Sequence, residues 1–185
     1  DQIQALCKKA SEIRKKTGAK LEKEIQKNLT DLQMKDAKFE IRIEQKETFD
    51  QTGYDNVSFF ISPNKGEDLK PLANTASGGE ISRVMLALKA ALSKKDSIDV
   101  MVFDEIDSGV SGETAHKVAD KMTEIAKEKQ VLCISHLPQI AAAADCHIFI
   151  EKYVQDDASF TQIKKLLYEE RVLEIMRLMG ADMKS

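Results

Sequence analysis

The sequence predicts an α/β protein in which helices flank a mixed set of parallel and antiparallel strands. Two short apolar runs, DVMVFDEI at residues 99–106 and VLCISH at residues 131–136, each finish in polar side chains and are separated by a helical pattern. That is how neighbouring parallel strands joined by a crossover helix read. Two further segments, residues 38–47 and 57–62, carry apolar side chains at every second position or in a short block and read as antiparallel strands.

The elements follow in order. Residues 1–33 form one helix, with Ile3, Leu6, Ala10 and Ile13 stepping by three and four in a coiled-coil seam. After Gly18 the seam gives way to Leu21, Ile25, Leu29 and Leu32, a broader face suited to packing on a domain. By itself the segment fits either an ordinary amphipathic helix or the last turns of a coiled-coil arm entering a globular head. The strands at 38–47 and 57–62 are joined by turn residues Gly53 and Asn56, which favours a hairpin. A polar loop with Pro63, Gly66 and Pro71 follows.

Residues 78–94 are helical, with Ile81, Val84, Met85, Leu88, Ala91 and Leu92 on one face. The apolar run at 99–106 reads as a strand buried on both faces, followed by a helix over residues 113–128. After the second buried strand, Pro138 opens a short alanine-rich helix. Residues 146–151 and 159–164 supply two more strands. Residues 171–179 close the chain as a helix with Val172, Ile175, Met176 and Met179 inward.

Composition narrows the function classes. Of 185 residues, 42% are hydrophobic and 32% charged, which places the chain among globular proteins and away from disordered ones. A net charge of -3 gives no bulk attraction to nucleic acid. Cys7, Cys133 and Cys146 have no framework spacing, so a reducing cytoplasm is expected. No apolar run approaches the roughly eighteen residues of a membrane span, and no membrane partner is expected. The chain opens at Asp1 inside a helical pattern, and it is expected to be a piece of something longer.

Three short segments carry candidate chemistry. In Ala76-Ser77-Gly78-Gly79-Glu80, Ser77 and Glu80 form a capping box at the start of a helix. A cap needs no Gly-Gly pair, and glycines cost helix stability. Gly78 and Gly79 offer bare backbone N–H groups at a positive helix end, which suits a phosphate. In Val100-Met101-Val102-Phe103-Asp104-Glu105, two carboxylates emerge where α/β sheets bind ligands. A pair of solvated acids at a strand end would look the same. In the chemical reading, Asp104 holds a hydrated magnesium ion and Glu105 orients an attacking water. An EF-hand loop fails on spacing, because Ile106 and Ser108 stand where acids are needed. His136, at the end of the next strand, can donate a hydrogen bond to a terminal phosphate, although a lone histidine is more often simply satisfied in the structure.

In combination these segments resemble the SMC-like branch of the ABC ATPases. ASGGEISR is similar to the ABC signature, VMVFDE to the Walker B strand, and His136 to the switch histidine. The residues after Glu105, IDSGVSG, resemble the D-loop, with Asp107, Ser108 and Gly109 at its centre. The wording ASGGEISRVMLALKAAL, VFDEIDSGVSG and ISHLPQIAAAAD is closest to the bacterial RecN family. Glu80 stands where transporters usually carry glutamine, as in SMC-like heads. Ser111 stands where they carry aspartate, which leaves that position without its usual role.

The resemblance implies the C-terminal lobe of an ABC/SMC-type ATPase head, with residues 1–33 as the end of a returning coiled-coil arm and residues 34–185 as the lobe itself. It implies ATP and Mg²⁺ as ligands, with Asp104, Glu105 and His136 acting on the nucleotide of their own head. Ser77, Gly78, Gly79 and Glu80 would reach the nucleotide held by a second, identical head. It also implies a bacterial, cytoplasmic, nucleoid-associated role in recombinational repair of DNA double-strand breaks, with DNA engaged by the full-length protein.

None of the eight glycines lies in a G-x-x-x-x-G-K-[ST] loop, so the Walker A element is expected from an N-terminal half of the same protein. The chain alone is expected to be inactive. Three other readings compete: a different SMC-like or RecF-like head, a non-catalytic dimerisation scaffold, and a zinc site at Cys133, His136, Cys146 and His147. The zinc spacings match no common structural pattern.

Overall fold

The computed structural model describes residues 2–74, 78–104, 106–155 and 158–181. The chain opens with a single 30-residue helix, α1 (Gln2–Asp31). The change of pattern at Gly18 divides it physically. Ile3, Leu6 and Ile13 are 55, 67 and 57% exposed, whereas Ile25, Leu29 and the following Leu32 are fully buried.

The second half of α1 lies along a hairpin made by β1 (Lys38–Asp50) and β2 (Gly53–Ser62). The strands are antiparallel, with Ile41 opposite Phe59 and Ile43 opposite Val57, and the register breaks between Gln45 and Asp50. A two-residue strand, β3 (Lys70–Pro71), adds to β2 within the segment expected to be plain loop. Its proline is tolerated because the strand sits at the sheet edge.

The opposite edge, β1, is closed by α1. Glu22 accepts the Ile41 N–H at 2.9 Å, and Gln26 accepts the Phe39 N–H at 3.2 Å while donating to the Ala37 carbonyl at 2.7 Å. Four helical residues rise about 6 Å and two strand residues about 6.8 Å, so the two ladders keep step. Farther out, Arg14 donates to Asp55 at 2.7 Å and to the Thr52 carbonyl at 2.7 Å. The guanidinium, followed by the Ser11 hydroxyl, holds the Asp55 carboxyl below the usual carboxylate range.

Two helices complete the core with α1: α2 (Gly78–Leu92) and α3 (Gly112–Ala126). A buried polar bridge ties the three. Asn28 donates to the Ala87 carbonyl at 3.0 Å, and Lys121 donates to Asn28 at 3.1 Å, Asp31 at 3.1 Å and Glu124 at 2.9 Å. The face of α2 differs from the expected one. Leu86 and Ala87 are buried with Val84 and Ala91, and Met85 turns outward. Being packed against both α1 and α3, α2 buries more than a single stripe.

Beyond α2, β4 (Val100–Asp104) and β5 (Gln130–Ile134) form a parallel pair. They were expected to be buried on both faces, but only one face is. Met101 and Phe103 pack into the core, while Val100, Val102, Leu132 and Ile134 are 44–63% exposed. Among the described residues no element covers that second face. The short helix α4 (Pro138–Ala143) follows β5, and β6 (Ile148–Gln155) and β7 (Ala158–Lys165) make a separate antiparallel hairpin. The strands thus fall into three separate sheets.

The closing helix α5 (Tyr168–Leu178) is held by Arg171, whose guanidinium donates to the carbonyls of Ala141, Ala142 and Ala144 at the end of α4. Its expected inner side is not buried: Val172, Met176 and Met179 are 40, 41 and 70% exposed. No helix among the described residues is long and apolar enough to cross a membrane.

Because Leu29 is fully buried at the junction of α1 with the core, Leu29→Ala is expected to cost about 2–5 kcal/mol of stability. A urea-unfolding midpoint shift at constant slope would measure it.

Candidate functional site

The parallel pairing decides where the candidate groups come together. Asp104 lies opposite Ile134 in register, so the residues that follow each strand leave the sheet at the same C-terminal edge. Asp104 is exposed there. Among the described residues no hydrogen bond or ion pair engages its carboxylate. Free carboxylate oxygens at a strand end suit a hydrated magnesium ion. Among the described residues no three acidic, histidine or cysteine side chains converge to hold a metal by themselves. A magnesium ion here would therefore rely on water and on oxygens supplied from elsewhere. Ser77 and Glu105 lie outside the described residues.

Asp107 is the most constrained group at this edge. Its side chain is 3% exposed, yet it is aimed at the end of β5. One oxygen accepts the Ser135 hydroxyl at 2.5 Å and the His136 backbone N–H at 2.9 Å, and His136 Nδ1 stands 3.2 Å from the same oxygen. Ser135 in turn accepts the Leu137 N–H at 3.0 Å, closing the turn into α4. The imidazole of His136 is 76% exposed beyond this knot. Sequence reasoning placed Asp107 in the D-loop and did not single out Ser135. A serine directly before a strand-end histidine, with a spare aspartate after the neighbouring strand, was the available signal.

The turn that carries Asp107 is tight. Gly109 has φ 69° and the Val110 N–H donates to the Asp107 carbonyl at 3.0 Å, so a glycine is needed at this position. The exposed Ser108 turns its carbonyl toward the start of α2. A Cβ on Gly79 would stand 2.1 Å from the Ser108 oxygen. Gly79 is thus required by contact with the neighbouring backbone, a reason separate from offering its N–H to an anion. Glu80 accepts a hydrogen bond from Asn64 at 3.3 Å, tying the beginning of α2 to the β2–β3 connection.

Cys133 lies half-buried beneath this edge on the core-facing side of β5, and Cys146 is exposed. Burial first, and then the carboxylates of Asp107 and Asp104, push the Cys133 thiol up to about 11. At pH 8 its alkylation is expected to run on the order of 10²-fold below that of an ordinary thiol, read by mass spectrometry of iodoacetamide-labelled peptides. Alkylation at the ordinary rate would show that neither burial nor the carboxylates hold the thiol protonated. Gly79→Ala forces the Ser108 backbone to move and is expected to cost about 1–3 kcal/mol in thermal or urea unfolding.

No family model matches the chain. Curated relatives do. The chain is 44% identical over 172 residues to a "DNA repair protein RecN" of Halalkalibacterium halodurans, spanning 91% of the chain and 30% of that protein. It is 41% identical over 185 residues to the RecN of Bacillus subtilis, spanning 92% of the chain and 32% of that protein. The chain therefore covers about a third of the length of these relatives.

Among solved structures it is similar to the Smc head domain of Pyrococcus yayanosii (TM-score 0.64, 21% identity, 86% of this chain and 29% of that one). It is also similar to the Smc head of Pyrococcus furiosus solved bound to the C-terminal domain of ScpA (TM-score 0.61, 23% identity, 90% of this chain and 40% of that one). At those identities the likeness speaks for the fold. Sequence and fold together make the chain a C-terminal segment of the RecN family of DNA repair proteins, built as the corresponding lobe of an SMC-type head.

Proposed function

We propose that the chain is the ATP-engaging C-terminal lobe of a RecN-type head, competent in hydrolysis only when joined to an N-terminal lobe. The observation that carries this reading is the register of β4 and β5, which brings Asp104 and His136 to one sheet edge with Asp107 behind the histidine. Magnesium, when bound, supplies charge neutralisation on the phosphates. Asp104 would hold its water shell, Glu105 would orient the attacking water, and His136 would face the terminal phosphate. Ser77, together with Gly78, Gly79 and Glu80 at the start of α2, would engage the nucleotide of a second head. The turn at Asp107, Ser108 and Gly109 would lie near that junction.

Two observations support the need for another lobe. The sequence has no Walker A loop, and the outer face of the β4–β5 pair leaves Val100, Val102, Leu132 and Ile134 open. Exposed apolar faces of that kind are normally covered in the complete protein. A structural neighbour comes from work on ATP-driven dimerization and DNA stimulated activation of SMC ATPases (TM-score 0.58, 20% identity, 94% of this chain and 99% of that one). By analogy, nucleotide would join two heads and hydrolysis would release them. With a net charge of -3, DNA contact is assigned to the full-length protein, acting in the bacterial cytoplasm at the nucleoid in recombinational double-strand break repair.

The test is magnesium-dependent ATP hydrolysis by the chain alone and by the chain joined to its N-terminal half. Turnover is expected only in the joined protein, and Glu105→Gln should lower kcat by about 10²–10⁴-fold. Turnover by the chain alone would overturn the two-lobe requirement. An inert joined protein would leave a scaffold as the better description.

A further inference from the structure

We infer that Asp107 is the positioning residue for His136, fixing which ring nitrogen faces the nucleotide. This deepens the ATPase reading above and rests on it. A carboxylate only accepts hydrogen bonds, so the ring nitrogen that faces Asp107 must carry the proton for the contact to be favourable. That nitrogen is Nδ1, 3.2 Å away. Nε2 is left as the nitrogen turned outward from a ring that is 76% exposed. An exposed imidazole without such a partner rotates freely and exchanges tautomers, so an ordered one needs a second group to hold it.

The arrangement around Asp107 serves this purpose better than it serves stability alone. The carboxylate is nearly inaccessible, yet the groups it accepts from belong to Ser135 and His136, immediately before α4. It therefore holds the histidine by its backbone N–H, and the ring's Nδ1 stands 3.2 Å from the same oxygen. The carboxylate is itself held in place from behind. Gly109 sets the turn, and the Ser108 carbonyl rests against Gly79 at the start of α2 with no room for a Cβ. The start of α2, the turn after β4 and the end of β5 thus form one mechanical chain, with His136 at its exposed end. A shift of the α2 start by a few tenths of an ångström must be taken up by the turn and passed to Asp107.

The experiment uses the full-length protein. Asp107→Asn keeps the shape and removes the charge. It is expected to lower kcat on the order of 10–100-fold, within the contribution of one positioned acid–base group, while ATP affinity stays within about twofold. A role confined to stability would move the unfolding midpoint and leave kcat of the folded protein intact, and that result would overturn the inference. Ser135→Ala, which removes one donor and no charge, should give a smaller loss that Ser135→Thr restores. It also serves if Asp107→Asn does not fold. A second readout is independent of turnover: ring-¹⁵N histidine spectra, with the His136 signal assigned from a His136→Gln variant. His136 should be protonated at Nδ1 in the wild type and lose that preference in Asp107→Asn. A wild-type His136 protonated at Nε2 would sink the proposal. If the wild type does not hydrolyse ATP, the ATPase reading falls while the tautomer still decides the role of Asp107.

Discussion

Burial of one half of α1 and exposure of the other is the constraint from which the rest of the architecture follows. Ile25, Leu29 and Leu32 enter the core, and Asn28 and Lys121 sit among them because Asn28 finds partners in α2 and α3 and Lys121 finds them in α1 and α3. Buried polar groups are tolerated only when satisfied, and here their satisfaction specifies which helices are neighbours. On the same helix, Glu22 and Gln26 close the free edge of β1. Where those two N–H groups are taken, the strand offers no donor to another chain. One helix therefore anchors the first sheet and ties α2 and α3 to it.

The candidate site inherits its geometry from that scaffold at one remove. α2 is fixed by α1, so its first turn is fixed, and Gly79 sets where the turn after β4 can lie. β5 is placed by its parallel register with β4, which delivers Ser135 and His136 beside Asp107. The charged groups at this edge are differently engaged. The carboxylate of Asp104 is open, that of Asp107 is spent on the histidine segment, and the thiol beneath them stays protonated.

Much of this was legible in the residues. The break at Gly18 in α1, the hairpin, the two parallel strands and the strand-end acids and histidine all follow from periodicity and from the chemistry at strand ends. Three things did not. A continuous apolar run such as VMVF reads as buried on both faces, but Val102 is open because burial depends on what lies above the sheet, which a strand's own sequence does not record. Likewise Val172, Met176 and Met179 mark an apolar side of α5 without showing whether anything covers it. The pairing of Asp107 with Ser135 and His136 crosses 28 and 29 residues and depends on strand register, which no local pattern encodes. Gly79 was read as open backbone for an anion. Its contact with Ser108 is a tertiary reason invisible in a linear motif.

The ion pair between Arg14 and Asp55 has a consequence for direction. Twelve residues of α1 precede it, about 18 Å of helix, and the same hairpin end reaches along them: the Ser11 hydroxyl also acts on Asp55, and Cys7 is buried beside Gly53. The hairpin rim therefore steadies the helix over about two turns, from Arg14 to Cys7. A tilt of about 10° at Arg14 would swing the tip by roughly 3 Å over that length, and the burial of Cys7 opposes it. The bearing of this end of α1 is thus set by a guanidinium, a hydroxyl and a buried thiol at the rim of a two-stranded ribbon.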